Sequence, residues 1–208
     1  MSYDAFATTF SNSRKNLHWP ELEYIIADIG SMNYDSVLDI GCGNGRFLEQ
    51  AVVSGLQLRE YIGIDSSEGM IREARKLHPE NRFASIGMQN ITTIDRSYGA
   101  LLFLASFHHL ETQIERINLL RDAKKLLIPG GRIYMTNWNL IDQLKYKTSH
   151  RGNGDYDIKI GQFSRYYHGF TVDELAELFE ETGYRVIEHR IFDGKRNFLS
   201  ILEQKNES

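Results

Sequence analysis

Residues 37–45, running Val37, Leu38, Asp39, Ile40, Gly41, Cys42, Gly43, Asn44 and Gly45, constrain the fold of this chain more than any other stretch. The first four read as a short strand, the glycines as a turn, and Arg46 to Gly55 as the amphipathic segment that follows. Glycines at 41, 43 and 45 remove side chains where a backbone must pass close to a ligand. The free N–H groups that open the next helix suit a negatively charged or polar ligand group. Asp65 follows Gly45 by 20 positions, at the end of a second apolar run, Tyr61-Ile62-Gly63-Ile64. A carboxylate there accepts both hydroxyls of a ribose. The dinucleotide fingerprint G-x-G-x-x-G fails, because its third glycine falls on Arg46. The turn is therefore expected to take a nucleoside-type ligand without a pyrophosphate.

Strand and helix alternate from there. Strands are expected at 36–41, 60–65, 81–85, 99–105 and 131–137, and helices at 44–55, 67–77 and 112–127. Pro129-Gly130-Gly131 reads as the stop of the last of these helices. Ahead of them, Pro20 opens a helix with Leu22, Ile25, Ile26 and Ile29 on one face. Thr171-Val172-Asp173-Glu174 is a capping pattern for a helix to about 182. Two β-like runs, 184–192 and 197–202, close the chain around a turn at Asp193-Gly194. Alternating βα units imply an α/β, doubly wound parallel sheet with helices on both faces, and the terminal pair adds one antiparallel strand.

Composition narrows the function classes. At 208 residues a single domain is expected, and 41% hydrophobic with 25% charged residues excludes a disordered chain. No apolar run is long enough for a transmembrane helix, and Met1-Ser2-Tyr3-Asp4-Ala5-Phe6 does not open a signal peptide. A cytoplasmic protein is expected. The single cysteine, Cys42, excludes an intrachain disulfide and a cysteine-built zinc site. The net charge of −4 argues against a general nucleic-acid binder, so any such contact must come from a local patch.

In an open α/β sheet, ligands bind beyond the carboxyl ends of the strands. Four segments converge there: 41–45, Asp65-Ser66-Ser67, Gly87-Met88-Gln89, and Ala105-Ser106-Phe107-His108-His109. The histidine pair reads either as acceptor-site chemistry or as a satisfied polar cluster at a strand end. A metal site needs more ligands than the pair supplies, and none is expected. Asp39 through Gly45, with Gly63-Ile64-Asp65-Ser66-Ser67, resembles the class I S-adenosylmethionine-dependent methyltransferases. That resemblance implies a Rossmann-like, seven-stranded, mostly parallel sheet and S-adenosyl-L-methionine as cofactor. It implies that Asp39 faces the cofactor's amino group, that Gly41, Gly43 and Gly45 pass beneath its methionine half, and that Asp65 holds the ribose. Arg14, Trp19, Ser66, Met70, Met88, Gln89 and Ala105 complete the implied cofactor set. Two departures stand out: Met88 replaces the family's usual acid, and Gly99 stands where an aspartate is common.

Further stretches narrow the resemblance. Tyr3, Phe6, Phe10, Arg14, Trp19 and Pro20 recur in order, then His108-His109-Leu110, Arg116, Trp138, and Arg165-Tyr166-Tyr167-His168 before Phe170. Together they resemble the tRNA methyltransferases that convert a carboxymethyl group on wobble uridine to its methyl ester, and their bacterial relatives. The spacing after Trp138 does not match. His109, Arg116, Arg165, Tyr166 and His168 are the implied acceptor-side residues, with Arg165 to His168 expected in the loop entering the helix. The eukaryotic relatives imply a small activator subunit as a possible partner. Residues 1–33 are expected as an N-terminal helical cap and 143–168 as a lid or acceptor-binding insertion. The second segment carries five basic residues against two aspartates, with Tyr146, Tyr156, Phe163, Tyr166 and Tyr167 interleaved. That mix suits a nucleic-acid backbone and a flipped base, and equally a mobile lid with solvated lysines. The main alternatives are a small-molecule O- or N-methyltransferase and a catalytically silent cofactor-binding subunit.

Overall fold

The computed structural model describes residues 19–160, 163–192, 194 and 196–205. Arg14, the aromatic series from Tyr3 to Phe10 and Asp193 lie outside these residues. The chain runs α1 (Pro20–Ser31), β1 (Ser36–Ile40), α2 (Arg46–Val53), β2 (Glu60–Asp65), α3 (Glu68–Leu77), β3 (Arg82–Ser85), β4 (Tyr98–Leu104), α4 (Gln113–Lys124) and β5 (Leu127–Trp138). Next come β6 (His150–Gly152), β7 (Asp155–Ile160), β8 (Phe163–His168), α5 (Val172–Glu181), β9 (Tyr184–Ile191) and β10 (Asn197–Gln204).

The main sheet has seven strands in the order β3-β2-β1-β4-β5-β10-β9. Strands β1 to β5 pair in parallel, and β10 runs antiparallel to both neighbours. The Rossmann-like sheet with one antiparallel strand is therefore as expected. Apolar residues cover both of its faces, with Ile25 and Ile29 of α1 among the fully buried ones on one side and Phe103, Phe107 and Phe179 on the other. Each such side chain contributes roughly 1.5–3 kcal/mol of transfer free energy. Because β2 and β4 flank β1, the chain departs in opposite directions on either side of it. That switch point opens a crevice at the carboxyl ends of β1 and β4.

Three local differences from the sequence reading have physical causes. Helix α4 ends at Lys124, and Leu127 already pairs with Tyr98, so Pro129-Gly130-Gly131 lies within β5 rather than stopping a helix. Gly99 is explained by Tyr34: a Cβ on Gly99 would stand 2.8–2.9 Å from that ring. Segment 143–168 is no bare loop, since β6, β7 and β8 form a second, three-stranded antiparallel sheet. Arg165 to His168 consequently sit on a strand, not in the loop before α5, although Thr171 does cap that helix by accepting from the Glu174 N–H at 3.0 Å.

Candidate active site

The crevice deepens into a cavity whose wall includes Trp19, Asp39, Gly41, Gly43, Asp65, Ser66, Met70, Met88, Gln89, Ala105, His109 and Arg165. Its floor is built by glycine. Gly41 has φ of +80°, and a Cβ there would come within 2.4 Å of the Ser106 Cβ. Ser106 is buried and donates its hydroxyl to the Ile40 carbonyl at 2.7 Å, so the ends of β1 and β4 are locked together beneath the turn. Gly43, at φ of +56°, would place a Cβ 3.2 Å from Met70 Cε. Gly45 serves differently. It is not part of the cavity wall among the described residues. A side chain there would strike His78 and Phe83, so this glycine admits close packing of α2 instead.

Two carboxylates stand at this end. Asp65 accepts from the Gly43 N–H at 3.0 Å through Oδ2 and from the Ser67 N–H at 2.9 Å through Oδ1. Each oxygen keeps acceptor capacity for a hydroxyl. Asp39 is 1% exposed; its Oδ2 accepts from the Tyr61 hydroxyl at 2.9 Å, while its Oδ1 has no partner among the described residues. Burial pushes Asp39 up to about 7, with the Tyr61 bond opposing and the Asp65 charge adding to the rise. A buried carboxylate oxygen facing a cavity without a partner is costly unless a donor arrives. An ammonium group supplies that donor, a ribose fits Asp65, and Ile86 and Met88 offer apolar surface for a base, with Gln89 beside them. The residues present therefore fit S-adenosylmethionine.

Histidines and one arginine form the other end. After β4, Ala105 takes φ of +54°, which costs a non-glycine residue roughly 1 kcal/mol and turns the chain into the cavity. His108 is buried; its Nδ1 accepts from the Trp138 N–H at 3.3 Å. Burial, then the charge of Arg165, pushes it down to about 3. His109 Nδ1 lies 3.1 Å from the Tyr166 carbonyl oxygen. Burial, then Arg165 and His108, holds His109 well below the usual histidine range. The rings of His108, His109, Trp138 and Tyr167 pack at 4.5–5.7 Å between centroids, and Trp138 also stacks on Tyr146 at 6.3 Å.

Strand alternation divides the acceptor-side candidates. Arg165 and Tyr167 line the cavity. Tyr166 and His168 point to the opposite face of β8, where Tyr166 meets Arg116 and His168 shares Glu174 with it. The Tyr166 hydroxyl bonds Asp155 at 2.6 Å and Arg116 at 3.3 Å, and Arg116 donates to the carbonyls of Leu110 and Glu111. His168 sits between Asp155 at 3.0 Å and Glu174 at 2.7 Å. Arg116, Tyr166 and His168 are thus corrected from the cavity to a brace behind it, tying β7, β8, the 110–111 turn and α5 together. Sequence reading placed Ser106 in a converging segment and expected one tyrosine of the pair 166–167 to face the acceptor, but it named neither Trp138 nor Tyr167 as a wall residue. Tyr167 had a signal, since a strand that aims Arg165 inward must aim Tyr167 the same way.

Comparison with known proteins agrees with this geometry. Residues 37–131 match the family described as "Methyltransferase domain". The tRNA (carboxymethyluridine(34)-5-O)-methyltransferase of Schizosaccharomyces pombe is 27% identical over 218 residues, covering 90% of this chain and 88% of that protein. The fold is shared with an S-adenosylmethionine-dependent methyltransferase from Clostridium acetobutylicum at a TM-score of 0.74 and 12% identity, over 97% of this chain and 98% of that one. It is shared also with the S-adenosylmethionine-bound CalS10, an amino pentose methyltransferase from Micromonospora echinaspora, at a TM-score of 0.72 and 16% identity, over 94% and 95% of the two chains. The chain thus carries a methyltransferase domain over residues 37–131, which hold the glycine turn, Asp65 and the histidine pair, and it shares the Rossmann-like fold of S-adenosylmethionine-dependent methyltransferases.

Proposed function

We propose that the enzyme methylates a carboxylate carried by a modified tRNA uridine. The observation that carries this reading is the charge of the acceptor end. Arg165 lines the cavity close to two imidazoles held neutral, His108 and His109, while the carboxylates of the lining, Asp39 and Asp65, come from β1 and the end of β2. The Arg165 end attracts an anion and repels an ammonium acceptor. It also lacks a base: a histidine pushed far down cannot keep a proton taken from an amine or phenol. A carboxylate is ionised at neutral pH and needs none. The bound cofactor supplies an electrophilic methyl on a sulfonium. Arg165 holds the acceptor's oxygens, Asp39 and Asp65 hold the donor's two polar ends, and Trp19 with the aromatic wall limits water around the reacting line. The name of the Schizosaccharomyces pombe relative supports the tRNA part of the reading. The exposed Lys145 and Lys147, on either side of Tyr146, which stacks on Trp138, offer backbone contacts.

The test is a labelled-methyl transfer assay on total RNA and on a metabolite extract, followed by nucleoside mass spectrometry. Label in a wobble uridine is the expected result. Label entering only small molecules would favour the small-molecule reading, toward which the net charge of −4 leans. Cofactor binding without transfer to either pool would mark a silent subunit.

Cofactor binding should carry a proton signature. Below pH about 7, Asp39 holds a proton in the free protein. An ammonium needs the carboxylate, so binding there must release that proton. Affinity for S-adenosylhomocysteine is expected to rise by up to about tenfold per unit from pH 5.5 toward 7, then level off. Calorimetry at pH 6 in two buffers of different ionisation enthalpy should show nearly one proton released; none released would remove Asp39 from the ammonium role. The stability of the free protein runs the other way. A group raised from 3.8 to about 7 contributes stability that is present below 3.8 and lost as pH rises through 7.

A further inference from the structure

We infer that His109 is a neutral hydrogen-bond acceptor that selects a substrate bearing a ring N–H, rather than a base that removes a proton. The inference rests on the uridine reading above and adds to it what recognises the ring. Geometry fixes the tautomer. The Tyr166 carbonyl can only accept, and it lies 3.1 Å from His109 Nδ1, so Nδ1 carries the hydrogen. Nε2 is left with its lone pair. The ring is wedged between His108 at 4.6 Å and Tyr167 at 4.5 Å, which prevents it from turning over to present a donor. His109 lines the cavity together with Arg165, near enough for that charge to act on it.

Burial first, and then the groups facing the ring, favour its neutral form. They are the Arg165 guanidinium from β8, the His108 imidazole from its own turn, and the Tyr166 carbonyl, the only one of the three that favours a proton. Arg165 and His109 therefore present different demands. The guanidinium asks for an anion, and the imidazole lone pair asks for an N–H or O–H. A uracil-type ring with an acidic side chain carries both, since its imide N–H is a donor. A plain aliphatic carboxylate carries only the first. The carbonyl that fixes His109 belongs to Tyr166, whose side chain is held by Asp155 and Arg116 on the far face of β8. The brace thus positions His109 without touching substrate.

The test compares two anticodon stem-loops, one carrying carboxymethyluridine at the wobble position and one carrying its N3-methyl counterpart, in wild-type and His109→Ala enzyme. Wild type is expected to prefer the unmodified ring by roughly tenfold in kcat/KM, the size of one hydrogen bond. His109→Ala, checked for folding by S-adenosylhomocysteine binding, should lose that preference. With S-adenosylmethionine saturating at every pH, so that Asp39 is already ionised in the complex, wild-type kcat/KM for the stem-loop should show no ionisation in the range of an ordinary histidine between pH 5.5 and 8. If wild type turns over both stem-loops equally, His109 does not read the imide and the uridine assignment stands. If discrimination persists in His109→Ala, another wall residue makes the contact and the inference falls. Turnover of neither stem-loop overturns the uridine reading and the inference with it. Should His109→Ala fail to fold, the wild-type pair and its pH profile still decide, because a general base would show a histidine ionisation and no imide preference.

Discussion

Gly41→Ala is expected to destabilise the protein by roughly 2–5 kcal/mol and to weaken S-adenosylhomocysteine binding by at least tenfold. Two costs add. An alanine at φ of +80° carries left-handed strain of about 1–2 kcal/mol, and its Cβ would stand 2.4 Å from the Ser106 Cβ, an overpacking cost of about 1–3 kcal/mol. Neither can be relieved cheaply, because Ser106 is itself held to Ile40. Relief must come from the turn moving into the cofactor's space. Gly55→Ala isolates the first cost, since Gly55 has φ of +74° with nothing within 4 Å of its Cβ position. A thermal melt should show a drop of roughly 5–15 °C for Gly41→Ala against about 2–5 °C for Gly55→Ala. Equal drops, with cofactor affinity intact, would show that the contact with Ser106 does not shape the site.

Replacing Arg165 with lysine should leave the cofactor end unchanged and lower turnover on the true acceptor by about tenfold or more. Lysine keeps the charge but loses the planar fork that holds both oxygens of a carboxylate. A loss of about 1.4 kcal/mol, one charge-assisted hydrogen bond, corresponds to that factor. Arg165→Gln should cost more and should also let His108 and His109 rise toward ordinary values, because the Arg165 charge is the second cause holding both down. The two variants thus report together on acceptor binding by turnover and on the cavity field by histidine titration. Unchanged turnover in both would remove Arg165 from acceptor binding.

The cofactor half was legible in the sequence because its signals are local. A strand, three glycines and an acid at fixed spacing dictate where a nucleoside lies. The glycine at 99 was not legible in this way, because the Tyr34 ring that requires it comes from a distant part of the chain. The acceptor half was less legible because which way a side chain faces depends on sheet pairing. Arg165 to His168 look alike as a string, yet pairing of β7 with β8 sends Arg165 and Tyr167 into the cavity and Tyr166 and His168 away from it. The alternation in Asp155-Tyr156-Asp157-Ile158, with Tyr156 and Ile158 buried, was the available sign that a strand rather than a loop lay there. Arg116 could be placed only by its partners: a buried guanidinium with three oxygen acceptors is a brace, whatever its position in the string.

The measurement that bears most directly on the account is the alkali lability of the transferred methyl. Product made with labelled S-adenosylmethionine is isolated, treated with mild base, and assayed for volatile methanol. A methyl ester formed on a carboxylate held by Arg165 releases its label as methanol. A methyl on a ring nitrogen, an amine or an ether oxygen stays with the nucleoside or metabolite. Release of the label is the expected outcome; label that survives base treatment would contradict an anionic carboxylate acceptor and the reading of Arg165 and His109 built on it.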